Sequence, residues 1–357
     1  MDLVVDNEKD ARLERIDFNN LGFGRYFSDH VYVSDFNNGK WSDGEVVPYA
    51  NMPFAPGMST LHYGQSIFEG LKAYKDFKKG GLNIFRPNMN AKRLNNSARR
   101  MCIEEFPEEQ FIDALCQVVQ TDKIFLPQEK GQSLYIRPLV FGDSNFLGVH
   151  SSPTFKFLIM TCPVASYYES GLAPVKILVT HEYARTVEGG LGMAKTAANY
   201  AASLYAGRMA KEQGFQQVLW LDGSQKKYID EVGAMNIFFV IGDEVITPPL
   251  DSGTILPGIT RDTVIQLAKQ WGLKVNEYRI SIDEVWEAHK NGNLKEVFGT
   301  GTAATISPVG LLSYKGESIT INNNEIGKIS AKLYDHITGI QHGLIEDTNN
   351  WNLHLDI

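Results

Sequence analysis

Between Lys195 and Glu231 the chain spells out a glycine-rich turn, a helix and a strand, and this order limits what 357 residues can build. Lys195 stands in Gly189-Gly-Leu-Gly-Met-Ala-Lys-Thr-Ala-Ala-Asn-Tyr200. A helix is expected from about Ala197 to Gln213, ending at Gly214, a residue type that tolerates the left-handed backbone of a helix end. The apolar run Gln217–Leu221 then reads as a strand, and Glu231 follows in Glu231-Val-Gly-Ala-Met-Asn236. A lysine among glycines and small residues, with few charges nearby, is open to desolvation. Its amine pKa would then fall toward neutrality, which favours a Schiff base with a carbonyl compound. Taken alone, a lysine and a glutamate at this spacing are more often surface residues or an ion pair.

The length suggests two domains, and 43% hydrophobic residues is ordinary for a globular chain. A net charge of −8 without any compensating basic block argues against nucleic acid as a partner. Lys78-Lys79 and Arg99-Arg100 are too short to count as basic tracts. The longest apolar run, Asn236–Gly242, has the length of a strand and falls far short of a membrane span. Residues Met1–Asp10 are acidic, with neither a signal-peptide core nor Arg-rich transit character. The chain therefore reads most simply as cytoplasmic, a matured organelle protein being the alternative. Cys102, Cys116 and Cys162 are widely spaced and read as buried or semi-buried thiols, without the spacing of a metal cluster or redox pair. His62, His150, His181 and His289 are scattered too, so no metal site is expected.

Along the first half, strands are expected at Val31–Phe36, Leu82–Phe85, Ser133–Phe141 and Thr154–Cys162, with a turn at Asn37–Lys40. Ser66 to Tyr74 reads as helical and then extended. Helices are expected over Asn88–Met101, with an apolar stripe of Met89, Leu94, Ala98 and Met101, and over Glu108–Thr121, with Phe111, Ala114, Leu115 and Val118 inward. Turn residues in Ser166–Pro174 mark a linker. The division is a smaller α/β domain at 1–166, a linker at 167–175 and a larger domain with Lys195 at 176–357. A strand at Val175–Thr180, a hairpin from Asn236–Ile241 through Gly242 and a helix over Arg261–Trp271 complete an α+β scaffold. No repeat is visible.

A lysine amine with an acidic partner is what pyridoxal phosphate chemistry requires, the acid keeping the pyridine nitrogen protonated so that the ring accepts electrons. Five further motifs bear on this: His62-Tyr-Gly-Gln-Ser-Ile-Phe-Glu-Gly-Leu-Lys-Ala-Tyr74, Leu134-Tyr-Ile-Arg-Pro138, Glu231–Asn236, Ile255-Leu-Pro-Gly-Ile-Thr-Arg261 and Phe298-Gly-Thr-Gly-Thr-Ala303. In this order they resemble the branched-chain amino acid aminotransferases, fold type IV of the pyridoxal-phosphate enzymes, from about Phe23 to beyond Val309. The resemblance implies a two-domain α+β fold with pyridoxal 5'-phosphate at the domain interface. It implies a homodimer with shared active sites, acting on small amino acids and 2-oxo acids.

It also assigns residues. Lys195 would be the catalytic lysine and Glu231 the partner of the pyridine nitrogen. Arg93, Ile259, Thr260 and Thr302 would hold the phosphate, and Tyr200, one helical turn past Lys195, would donate to the cofactor's phenolate oxygen. From the residues alone, Thr260 reads equally as an ordinary helix N-cap, Arg93 as a solvated helix face, and Gly299 and Gly301 as a β-bulge. Phe23, Tyr63, Phe68, Tyr135, Tyr167, Leu147 and Val149 match the aliphatic side-chain pocket or its rim, Leu147 and Val149 coming from the second subunit. Each aromatic taken singly is as well explained by a hydrophobic core. Tyr135 and Arg137, two apart on a strand, share a face that could meet a carboxylate. The amides of Thr302 and Ala303 are further candidates for the α-carboxylate.

Two positions depart from the family's patterns. Some members carry Cys-x-x-Cys where this chain has Ala304 and Ser307, so a thiol switch is not expected there, and some carry threonine at Ala234. A D-amino acid aminotransferase or aminodeoxychorismate lyase would share the fold, lysine and glutamate. A non-enzymatic cofactor-binding protein is the alternative of another class.

Overall fold

The computed structural model describes residues 11–165 and 172–357. Two compact units emerge. The first comprises residues up to Glu169 together with Ala194–Ala197 and Thr338–Ile357; the second comprises Ser170–Met193 and Ala198–Ile337. Lys195 therefore groups with the first unit, although the sequence runs on from it into the second.

In the first unit a short helix α1 (Ala11–Glu14) precedes the strands β1 (His30–Asn37), β2 (Lys40–Trp41) and β3 (Glu45–Pro48). The β1–β2 hairpin turns at Asn38 and Gly39, both at positive φ. Helix α2 (Ser59–Tyr63) leads into β4 (Ser66–Phe68), β5 (Leu71–Lys75) and β6 (Leu82–Phe85). The helix expected at Ser66 is absent, because both β4 and β5 pair with the same long strand and leave only Glu69 and Gly70 between them. Helices α3 (Pro87–Arg100) and α4 (Glu108–Thr121) follow, then β7 (Ser133–Gly142) and β8 (Phe155–Val164). The strands lie in the order β6-β5-β7-β8-β1-β2, with β3 on β1 and β4 on β7.

Alternation along β7 separates the two faces of this sheet. Leu134, Ile136 and Val140 join the core that holds Phe111, Leu115 and Val118 of α4 and Phe157 and Ile159 of β8. Phe106 and Phe157 approach to 4.1 Å between ring centroids. Tyr135 and Arg137 occupy the opposite face. The apolar stripe of α3 is Ala91, Leu94 and Ala98, while the expected member Met89 is 37% exposed. Beside that stripe three polar residues, Asn90, Arg93 and Ser97, are buried at the spacing of one helix face.

The second unit holds β9 (Val175–Thr180), α5 (Ala197–Glu212), β10 (Gln217–Leu221), β11 (Ile229–Val232), β12 (Asn236–Ile241), β13 (Glu244–Thr247), α6 (Ile259–Gln270), β14 (Lys274–Glu277), α7 (Ile282–Lys290), β15 (Leu294–Gly301), β16 (Thr305–Tyr314) and β17 (Glu317–Thr320). Its sheet runs β11-β10-β9-β16-β15-β12-β13-β14, with β17 on β16. Phe238 and Phe298 stack 5.3 Å apart inside it. A capping box formed by Ser281 and Glu284 starts α7, satisfying donors at both residues. Helix α8 (Lys328–Gln341) ends among residues of the first unit, and β18 (Asn352–Leu355) adds to that unit's sheet beside β6. No helix of the described residues is long and apolar enough to cross a membrane.

Candidate active site

Lys195 lies outside the helix that follows it. Its backbone is tied within the first unit at two points, and the side chain of Thr196 adds a third contact. The Lys195 amide donates to Ser97 Oγ (2.9 Å), the Phe68 amide donates to the Lys195 carbonyl (3.0 Å), and Thr196 Oγ1 donates to the Ser66 carbonyl (2.7 Å). Thr196 also bridges Ile67 in antiparallel fashion. This pairing holds Lys195 in strand-like geometry, so the expectation that Tyr200 lies one helical turn away does not apply. Tyr200 sits in the first turns of α5, within the second unit.

The Lys195 Nζ stands 4.9 Å from the centre of the Phe68 ring, and the Arg137 guanidinium stands 4.7 Å from the same ring. Arg137 Nη2 donates to Tyr135 Oη (2.9 Å), and Phe23 meets Tyr135 edge-on at 5.0 Å. Four residues assigned from the sequence to the substrate pocket, Phe23, Phe68, Tyr135 and Arg137, thus gather around the lysine of the same unit. Gly70 permits the arrangement, since a Cβ there would lie 2.2 Å from Tyr135 Oη. Arg137 has no carboxylate partner among the described residues, and its Nε is buried without a hydrogen bond. On the same face, Lys72 is registered against Tyr135, and Tyr135 against Cys162. Burial lowers the Lys72 ammonium to about 8 and raises the Cys162 thiol to about 11. Cys162 is thereby an inert thiol at neutral pH.

Tyr63, Leu147 and Val149 stand apart from this cluster as exposed residues, Leu147 at 68% and Val149 at 90%. Tyr167 lies outside the described residues. Cys102, expected to be buried or semi-buried, is exposed, because the chain leaves α3 there through a left-handed residue.

Arg93 is no solvated helix face: it is buried and bound side-on to Glu69, Nε to Oε1 and Nη2 to Oε2, each at 2.8 Å. Glu69 is fully buried and also accepts from Asn90 Nδ2 (2.7 Å) and its neighbour's amide at Gly70 (3.2 Å). Burial alone would raise its carboxyl, but Arg93, Lys195 and the Asn90 hydrogen bond bring it below the ordinary value, so it is ionised.

In the second unit Glu231 forms a buried ion pair with Arg185 and accepts from Asn236 Nδ2 (3.2 Å) and the Leu256 amide (3.3 Å). Asn236 in turn donates to the Leu256 carbonyl at 2.9 Å. Helix α6 begins two residues earlier than expected. Its N-cap is Gly258 and carries no side-chain cap, which makes Ile259 and Thr260 its first two residues and rules out Thr260 as an ordinary N-cap. First-turn amides and the helix dipole together make such an end suited to an anion. Thr302 and Ala303 lie in the turn between β15 and β16. The Gly299–Gly301 stretch pairs regularly with β16, so there is no bulge. These glycines make room for Met235 instead: a Cβ on Gly299 would meet its Cε at 3.0 Å, and one on Gly301 its Cγ at 3.2 Å. Between them, Thr300 Oγ1 is buried without a partner.

The sequence reading missed both ion-pair partners in these clusters, Glu69 of Arg93 and Arg185 of Glu231. Glu69 lay within a quoted motif, yet a carboxylate between phenylalanine and glycine shows no sign of what it will bind. Arg185 lies 46 positions before its partner, a separation no local pattern spans.

Comparison with known proteins agrees with the geometry. The family profile for amino-transferase class IV matches residues 66–312. Branched-chain-amino-acid aminotransferase 2 of Bacillus subtilis (strain 168) is 53% identical over 336 residues, covering 94% of this chain and 92% of its own. The solved T.th. branched-chain amino acid aminotransferase with pyridoxamine 5'-phosphate superposes with a TM-score of 0.77 at 27% identity, over 92% of this chain and 98% of that one. The corresponding Escherichia coli enzyme gives 0.75 at 29% identity, over 91% and 98%. The residues present suit pyridoxal phosphate within each unit taken by itself: in the first, a lysine on an aromatic face and an arginine fork held by a buried acid; in the second, a helix end without a side-chain cap and a buried carboxylate with its own arginine. The chain belongs to the class IV aminotransferases, enzymes of fold type IV that work with pyridoxal phosphate.

Proposed function

We propose that this protein transfers amino groups reversibly between L-leucine, L-isoleucine or L-valine and 2-oxoglutarate, giving branched-chain 2-oxo acids and L-glutamate. The observation that carries the reading is the placing of the Lys195 amine on the Phe68 ring, beside Tyr135 and Arg137. When bound, pyridoxal phosphate supplies the electron sink that makes the substrate α-hydrogen acidic. Lys195 would be the catalytic residue: it would hold the cofactor and, once released, would take up the substrate α-proton as a base and give it back as an acid. Glu231 would serve the pyridine nitrogen and Tyr200 the phenolate oxygen. Arg93, Ile259, Thr260 and Thr302 serve the phosphate. Phe23 and Phe68 offer an apolar surface to an aliphatic side chain and the Tyr135 hydroxyl a donor to a carboxylate, whereas Tyr63, Tyr167 and the amides of Thr302 and Ala303 are assigned to the substrate by the family match alone.

Arg137 explains how the same surface takes glutamate. A half-buried guanidinium, its Nε buried without a hydrogen bond and with no carboxylate of its own among the described residues, provides for an incoming one, which an aromatic surface alone would reject. Leu147 and Val149, exposed beside Phe146 at 50%, form an apolar loop that a second copy of the chain would cover in a homodimer with shared sites. A cytoplasmic location belongs to the same reading.

The test is a substrate panel with 2-oxoglutarate as acceptor. Turnover should be highest for the three branched L-amino acids, and Lys195→Ala should abolish it. Faster turnover of D-amino acids, or near-normal rates in the lysine variant, would sink the reading. Arg137→Leu should impair the glutamate half-reaction about tenfold to a hundredfold more than the leucine half-reaction, as expected for lost charge-assisted hydrogen bonds. Equal single-turnover losses with both amino acids would reject that role.

A further inference from the structure

Helix α3 buries a row of polar residues, Asn90, Arg93 and Ser97, where a helix packed only for stability would place apolar ones. All three are engaged around the catalytic lysine. Ser97 donates to the Arg93 carbonyl (3.0 Å) and accepts from the Lys195 amide (2.9 Å), while Asn90 and Arg93 both bind Glu69. Glu69 therefore links the arginine to the strand break at Glu69–Gly70, next to Phe68 under the lysine amine.

Arginine has five N–H groups in one plane. Glu69 engages Nε and one edge of Nη2, a two-point contact that fixes the rotation of the whole guanidinium plane. The carboxylate is itself immobile, because the Asn90 side chain and the Gly70 amide both bind its Oε2. The three N–H groups that do not engage Glu69 lie in the same plane and keep a set direction with it. A phosphate is bound best by donors that need no reorientation on its arrival.

We infer that Glu69 is a positioning residue for the cofactor: it acts on the phosphate through Arg93, orienting the guanidinium edge that meets it. This rests on the assignment of Arg93 to the phosphate made above. A carboxylate near a phosphate is in itself repulsive, so the inference has a definite sign. If orientation dominates, loss of Glu69 weakens phosphate binding; if repulsion dominates, it strengthens it.

The experiment compares two ligands in the full-length protein, pyridoxal phosphate and phosphate-free pyridoxal, each by equilibrium dialysis with absorbance readout. Glu69→Gln should raise the Kd for pyridoxal phosphate at least tenfold and leave that for pyridoxal within twofold. Arg93→Gln should do the same, and the double variant should lose no more than either single one, because both act on one contact. A protein in which Glu69 merely stabilises the fold would lose both ligands alike or neither, and tighter phosphate binding would also overturn the inference. Loss of affinity in Arg93→Gln without loss in Glu69→Gln removes the role of Glu69 alone. Unchanged affinity in Arg93→Gln removes the phosphate assignment and this inference with it. Should Glu69→Gln fail to fold, Glu69→Asp carries the same test, since it keeps the charge but withdraws the carboxylate by one methylene; its losses should again fall on pyridoxal phosphate alone.

Discussion

Each unit of the molecule contains one buried arginine–carboxylate pair near proposed cofactor contacts, and the two are built in opposite senses. In the first, Glu69 accepts from Arg93, Asn90 and Gly70, so on the proposed reading the acid is support and the arginine is the group offered to the ligand. In the second, Arg185 approaches Glu231 at Oε2 and also reaches the Thr254 carbonyl (3.2 Å), so on the same reading the arginine is support and the acid is the group offered to the ligand. A buried ion pair contributes little net stability, whereas removing one partner costs about 3–5 kcal/mol because the other is left uncompensated. Keeping two such pairs makes sense if each exists to hold one of its members ready for a ligand.

The largest test of this contrast is Glu231→Gln. It should slow removal of the substrate α-proton by about a hundredfold or more, on the scale of losing a preorganised charge worth roughly 3 kcal/mol, while binding of the cofactor suffers less. Stopped-flow traces with unaltered decay rates would erase the distinction between working and supporting acid.

Arg185→Met should produce the same kind of loss on a smaller scale, about tenfold. Asn236 and the Leu256 amide still hold Glu231, but its cation is gone. A variant as damaged as Glu231→Gln would mean that Arg185 acts on substrate or cofactor directly.

The smallest effect concerns Asp230, the neighbour of Glu231 in sequence. Burial raises its carboxyl to about 6, with the charge of Glu231 adding to the rise and the Thr254 hydrogen bond and Arg185 opposing it. Between the ordinary value of 3.8 and about 6 the folded protein therefore holds a proton that the unfolded chain releases. This group's contribution is fully present below pH 4, declines as pH rises to about 6, and beyond that an ionised, buried Asp230 opposes folding. Asp230→Asn keeps an acceptor for Thr254 Oγ1, now 3.1 Å away. It should raise stability at pH 7.5 by on the order of 1–3 kcal/mol and leave it unchanged at pH 4. Equal melting shifts at both pH values would show that the second pair carries no electrostatic burden beside it.

Much of the fold could be read from the chain because strongly periodic segments face one core. The α4 residues Phe111, Ala114, Leu115 and Val118 are buried as their spacing requires, and Gly214 ends α5 at positive φ. The misreadings occur where long-range pairing overrides local preference. Ser66–Tyr74 has helix-compatible composition, yet strand partners on β7 pull it straight. Met89 fits the apolar period of α3 but gives way to buried polar neighbours. The site was half legible for a related reason. In each pair the member assigned to the cofactor could be matched to a family position, whereas its partner is recognised only by contact, which a linear reading of Glu69 or Arg185 does not contain.

Two backbone ties on Lys195 and the side-chain tie of Thr196 make the amine proposed for catalysis a base on a short leash. Its four methylenes and terminal nitrogen can swing, but the point from which they swing cannot. A released amine thus stays within about 6 Å of its anchor, the length of an extended side chain at ordinary bond lengths, and meets the same reacting carbon on every cycle. Intramolecular reactions so confined reach effective concentrations that no dissolved amine attains, on the order of 10⁵ M or more when geometry is good. By this reading the role of Ser97, Phe68 and Ser66 is kinetic: they keep local concentration high by denying the lysine anywhere else to go.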